Sequence, residues 1–222
     1  MRVAQLRTVV LVLSLSLAAL VVGPAGATEP TCFGRTATPG HLGTEGRDVI
    51  EGTSGPDVII ALGARDEIYG RGGGDRICGG DGNDEIRGNQ GRDRVDGGRG
   101  DDSLRGHEGD DRVFGRGGHD GMQGNNGSDR MFGGRGDDGV MTQGRPGSEG
   151  TVNVAHGGFG DDRLTAAGGT NQLFGDAGND SVSVWNFRPD DLADGGAGTD
   201  ECRWDDGDEV VDCEPRPPYD PR

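Results

Sequence analysis

The 222-residue chain carries 47 glycines, only 5% aromatic residues and a mean hydropathy of −0.65. Glycine at about a fifth of all positions, against roughly 7% in ordinary domains, excludes a thick apolar core. A formal charge of −17, with all 22 basic residues arginine, argues against nucleic acid as a partner and for cations.

The chain opens with Arg2 and Arg7, an apolar run from Val9 to Val22, then Pro24 and Ala25-Gly26-Ala27. That order is a basic region, an apolar region and a small-x-small cleavage site, so residues 1–27 read as an export signal of the bacterial general-secretory type. The run is too short, and broken too soon by Pro24, for a permanent anchor. No cysteine follows the cleavage site, which disfavours a lipoprotein. Removing Arg2 and Arg7 leaves 20 arginines against 39 acids, a charge of −19. The mature protein is expected to have no membrane span and to be secreted.

Residues 28–42 read as an N-terminal cap. They contain Cys32, the first of four cysteines; the others are Cys78, Cys202 and Cys213. An even set in an exported chain predicts disulfides. Three pairings exist, and Cys32 with Cys78 and Cys202 with Cys213 is favoured because each bond would staple one end. There is no C-x-x-C, so zinc and redox chemistry lack support.

From Gly43 to Met141 the chain divides into eleven consecutive blocks of nine without insertion, among them GRGGGDRIC, GGDGNDEIR and GHEGDDRVF. Position six is always aspartate: Asp48, Asp57, Asp66, Asp75, Asp84, Asp93, Asp102, Asp111, Asp120, Asp129 and Asp138. Position eight is always aliphatic or methionine, and positions one and four are glycine except at Ala61 and Ala64. Repeats must be sought before secondary structure, and these set the architecture. Glycine permits tight turns, and the x-U-x piece makes a short strand with its middle side chain inward. One nonapeptide is half a coil, so eighteen residues return the chain to the same side. The expected fold is an all-β parallel β-roll, a β-helix solenoid with coils about 4.8 Å apart. Ile50, Ile68, Ile86, Leu104, Met122 and Val140 should line one inner wall, and Ile59, Ile77, Val95, Val113 and Met131 the other.

Residues 142–183 read as interrupted, degenerate repeats. GSEGTVNVA (Gly147 to Ala155) reads as a repeat with Val152 in the aspartate place, and later blocks keep Asp162 and Asp180, with Asn171 a weaker substitute. A second break contains Trp185 and Phe187. Residues 184–214 then read as a last repeat, with Asp200, and a C-terminal cap, since an open solenoid end needs covering. Residues 215–222 are proline-rich and read as a mobile tail.

The blocks resemble the repeats-in-toxin (RTX) nonapeptide, G-G-x-G-x-D-x-U-x, a calcium-binding β-helix repeat. They depart from it at position two, where only Gly80, Gly98 and Gly134 fit within the strict array. The resemblance implies calcium ions between same-side turns of adjacent coils, up to about nine in the strict array, held by the position-six aspartates and by Asp162, Asp180 and Asp200. Physics agrees: stacked carboxylates about 5 Å apart repel by roughly 0.8 kcal/mol even in water. Calcium, a hard cation accepting six to eight oxygens in tolerant geometry, removes that repulsion, whereas magnesium demands a rigid octahedron. Without calcium, disorder is the expectation.

No H-E-x-x-H, G-x-S-x-G or P-loop is present, so no enzyme activity is expected. His41, His107, His119 and His156 read as exposed variable residues. Arg99-Gly100-Asp101 and Arg135-Gly136-Asp137 arise readily by chance in this pattern. Arg76, Arg94, Arg112 and Arg130 fall eighteen apart on one outer face beside Phe114 and Phe132, which suggests either a solvated column or a dock for an anionic glycan or cell-wall polymer. A secreted calcium-binding protein is therefore the primary expectation; the alternative is an extracellular glycan- or surface-binding module using calcium only as scaffold.

Overall fold

The computed structural model describes residues 29–143, 151–184 and 190–214. The expected export signal at 1–27, the expected tail at 215–222, and Trp185 and Phe187 lie outside them. The described residues form strands and turns without helix, so no helix is long and apolar enough to cross a membrane.

Two nine-stranded parallel sheets face each other. Sheet A stacks Val58–Gly63, Arg76–Asp81, Arg94–Arg99, Arg112–Gly117, Arg130–Arg135, Val152–Phe159, Thr170–Ala177, Leu192–Asp194 and Glu209–Val211. Sheet B stacks Val49–Glu51, Glu67–Tyr69, Glu85–Gln90, Ser103–Glu108, Gly121–Asn126, Gly139–Gln143, Arg163–Ala167, Ser181–Ser183 and Glu201–Arg203. Consecutive half-coils alternate between the sheets, as the nine-residue period dictates. This is the expected solenoid.

The inner walls are also as expected. Ile59 pairs with Ile77, and the same row continues through Val95, Val113 and Met131. Opposite it, Ile50, Ile68, Ile86, Leu104, Met122 and Val140 align. Every one except Ile50 (8%) is at most 2% exposed. Two large apolar side chains per eighteen-residue coil make a thin core, because every second strand residue must face solvent.

The interrupted region keeps the stack but shifts the phase. Met131 pairs with Ala155, not Val154, and the Asp129 N–H donates to Asn153 Oδ1. Asn153 therefore holds the aspartate place and Val152 is exposed, which corrects the block boundary read from sequence. The step there is 24 residues instead of 18, so six inserted residues conceal the register. Farther on, Ala193, Cys202 and Val210 continue the inner rows, so strands reach Val211.

Both disulfides pair as favoured, Cys32 with Cys78 and Cys202 with Cys213. The N-terminal segment divides in two. Leu42 bridges Ile60, with the Ile60 N–H donating to the His41 carbonyl at 3.0 Å, which covers the first edge of sheet A. The hairpin of Thr31–Cys32 and Arg35–Thr36 instead lies on the outer face, anchored at Cys78. From it Phe33 covers the Arg94 guanidinium, 3.8 Å from ring centroid to Cζ. Beyond Phe33, Phe114, Phe132, His156 and Phe174 stack in one ladder at 4.6–5.4 Å.

Position two, where the sequence departs from the repeat, keeps its backbone conformation from the third block onward. Leu62, Arg71, His107 and Arg116 hold φ between +73° and +84° there, the left-handed region that Gly80 and Gly98 occupy without strain.

Candidate metal centre

Stacking places the position-six side chains in two columns, one along each edge. In the first, Asp48, Asp66, Asp84, Asp102, Asp120, Asp138, Asp162, Asp180 and Asp200 follow one another. In the second, Asp57, Asp75, Asp93, Asp111 and Asp129 lead to Asn153. The link is the same throughout. The backbone N–H of one aspartate donates to Oδ1 of the aspartate a coil later, at 2.7–2.9 Å in the strict array.

That bond fixes Oδ1 and leaves Oδ2 turned inward. In Asp66, Asp75, Asp84, Asp93, Asp102, Asp111, Asp120, Asp129, Asp138, Asp162 and Asp180, Oδ2 is buried without a hydrogen-bond partner. The residues themselves are at most 2% exposed, apart from Asp102 at 3%. Leaving so many anionic oxygens buried is costly unless a cation or proton reaches them.

The glycine at position one makes the room. A β-carbon on Gly79 would sit 2.6 Å from the Gly97 carbonyl oxygen and closer still to Asp84 Oδ2, and the same crowding recurs at Gly88, Gly97 and Gly106. A carboxylate oxygen and a carbonyl oxygen of the next coil thus converge on a point that only glycine leaves open. Among the described residues no three His, Cys, Asp or Glu side chains converge on one point. A cation here must complete its shell with backbone carbonyls, which suits calcium and not the N/S-preferring metals.

Electrostatics records the same demand. Burial pushes Asp102 and Asp111 up to about 8, Asp75 and Asp162 to about 7, and Asp84, Asp93, Asp120, Asp129 and Asp138 to about 6. The N–H donated by the preceding aspartate opposes the rise, and in most cases a neighbouring carboxylate adds to it.

The remaining sequence-predicted residues divide. Asp48 and Asp57 begin the columns, and Asp200 closes the first, its N–H reaching Glu214 Oε2. Sequence reasoning missed Asn153, hidden by the insertion. It also missed Asp191, whose Oδ1 accepts the Asn171 N–H at 2.7 Å. The run Asp191-Leu192-Ala193-Asp194 fits D-x-U-x and could have revealed it. His41 departs from the expected exposed role: it is 8% exposed, with Nε2 3.1 Å from the Glu51 carbonyl and Nδ1 3.8 Å from Asp57.

Arg76, Arg94, Arg112 and Arg130 do align in register on the outer face of sheet A. They line a groove of about 350 Å³ together with Gly74, Asp75, Arg92, Asp93, Asp110 and Ser128. Asp110 is engaged by Arg92 at 2.6 Å, and among the described residues none of the four column arginines forms an ion pair.

A family model described as the RTX calcium-binding nonapeptide repeat matches residues 42–77, 51–86, 72–104, 79–113, 87–122, 105–140 and 149–182, more than half of the chain. No curated protein matches.

Proposed function

We propose that this chain, which belongs to the RTX calcium-binding nonapeptide repeat family, is a secreted protein whose calcium ions close the roll around its aspartate columns. The single observation that carries the reading is the row of buried Oδ2 atoms without a partner, all but that of Asp66 beside a point kept open by a position-one glycine. Position-six aspartates and turn carbonyls would hold the ions, which supply the positive charge the interior lacks. The protein's own part is to fix one carboxylate oxygen by a backbone bond and aim the other. Linkage then makes binding the driving force of folding: a site at ten times its Kd adds about 1.4 kcal/mol, so an array can supply a domain's whole stability. Two disulfides and the signal-like head support export to an oxidising space, where calcium is plentiful.

The test is far-UV circular dichroism of the oxidised residues 28–222, stripped of calcium and titrated back. A cooperative change from coil to β, with magnesium ineffective, is expected; no change on adding calcium would sink the reading.

The arginine groove favours a second reading, in which the roll also serves as scaffold for a carboxylated polysaccharide. Phe33 covers Arg94, but Arg112 and Arg130 are exposed in neighbouring coils, where like charges repel and planar forks match carboxylates. The double substitution Arg112→Gln/Arg130→Gln is expected to weaken binding to polygalacturonate at least tenfold while calcium-driven folding persists. Equal binding by both proteins refutes the dock.

A further inference from the structure

The two aspartate columns end differently from the way they run, and they end differently from each other. At the N-terminal side Oδ2 of the first aspartate is already satisfied in both. Thr44 donates its N–H and Oγ1–H to Asp48 Oδ2 at 2.6 and 3.0 Å, and Thr53 does the same for Asp57 at 2.6 and 2.9 Å.

At the C-terminal side the column begun at Asp48 keeps its pattern through Asp162 and Asp180, whose Oδ2 atoms remain without partners. The column begun at Asp57 changes chemistry after Asp129. Asn153 and Asn171 take position six, and in the same two blocks Thr142 and Ala166 replace the position-one glycine. Thr142, Asn153 and Asn171 are all fully buried and bonded to one another. Thr142 Oγ1 donates to Asn171 Oδ1 at 2.8 Å, and Asn153 Nδ2 donates to the same oxygen at 3.1 Å. Asn171 Nδ2 donates in turn to the Gly168 carbonyl at 3.1 Å and to Asp191 Oδ1 at 3.3 Å.

A neutral amide therefore presents N–H where other coils present an anionic oxygen, and a threonine side chain stands where other coils hold a glycine. Neither asparagine position carries charge, and a cation there would meet donors as well as acceptors. We infer that Thr142, Asn153 and Asn171 form a hydrogen-bonded stopper that interrupts one metal column between Asp129 and Asp191, so that ions load unevenly on the two edges.

The inference rests on the calcium reading above and makes it countable. A position takes an ion where a position-one glycine faces an aspartate whose Oδ2 has no partner. The described residues contain ten such positions, six on the edge of Asp48 and four on that of Asp57. Asp66 falls outside the set because Ala61 stands at its position one.

The experiment is the calcium content of the purified oxidised protein after dialysis against excess calcium, by elemental analysis. About ten ions per chain are expected for the wild type, by the count just given. Thr142→Gly with Asn153→Asp restores the glycine–carboxylate pair and should add one ion. Asp129→Asn moves the amide one coil earlier and should remove one while the β spectrum in calcium is kept, as Asn153 already occupies the same place in the stack.

Equal content in the wild type and a double variant that still folds with calcium overturns the stopper. Should the double variant not fold, Asp129→Asn decides alone, and a content unchanged from the wild type is then the overturning result. A wild type that takes up no calcium refutes the preceding section's reading instead, and leaves the stopper without an object.

Discussion

In the absence of calcium, the chain is expected to be a coil at pH 8 and to gain β structure as the pH falls toward 4.5. Burial raises the pKa of the inner position-six carboxyls, to about 6 for Asp84 and Asp93 and to about 8 for Asp102 and Asp111. In the unfolded chain the same groups titrate near 3.8. The roll therefore binds protons more tightly than the coil does. Its proton-linked stability is fully present below about pH 4 and is lost as the pH rises through 6 to 8. A proton does part of what a cation does, since it removes the charge and gives the inward Oδ2 atom a donor. Calcium should thus fold the chain across the whole range, with an apparent affinity that weakens in acid because protons compete for the same oxygens. Circular dichroism at pH 8 and 4.5, with and without calcium, measures all four corners. Identical coil spectra for both metal-free samples would refute the link between burial of the aspartates and the metal requirement.

The second large effect is steric. Gly91→Ala should destabilise the calcium-loaded roll by at least about 3 kcal/mol, because strain and collision act together. Gly91 holds φ +125°, and a β-carbon there would fall inside the Gly73 carbonyl of the preceding coil. Neither can be relieved locally, since the Gly91 N–H is committed to the Glu108 carbonyl at 2.7 Å. The comparison is Gly117→Ala. That glycine has ordinary φ and nothing within 4 Å of an added β-carbon, so its replacement should stay within about 0.5 kcal/mol. Thermal unfolding in calcium reads the contrast. Matching midpoints for the two variants would show that coils can slide apart to admit a side chain, contrary to the packing described.

Much of this was legible before any coordinates. The nine-residue period names the walls, since a side chain at position eight of every block must face inward if its neighbours face out. The position-six aspartates follow from the same count, and Cys32–Cys78 and Cys202–Cys213 follow from their positions near the two ends. Local chemistry repeated in phase is enough for these, because each coil copies the last.

Contacts between unlike coils are another matter. Only the stacked structure shows that Oδ1 is spent on a backbone N–H while Oδ2 is not, a division that two chemically equal oxygens cannot announce in sequence. It also takes three dimensions to return Asn153 to the aspartate column across six extra residues, and to lay Phe33 over Arg94 some sixty positions away. The period fixes what every coil shares; where the pattern is broken, the position of a side chain depends on which coil it lands against, and the tertiary structure alone decides that.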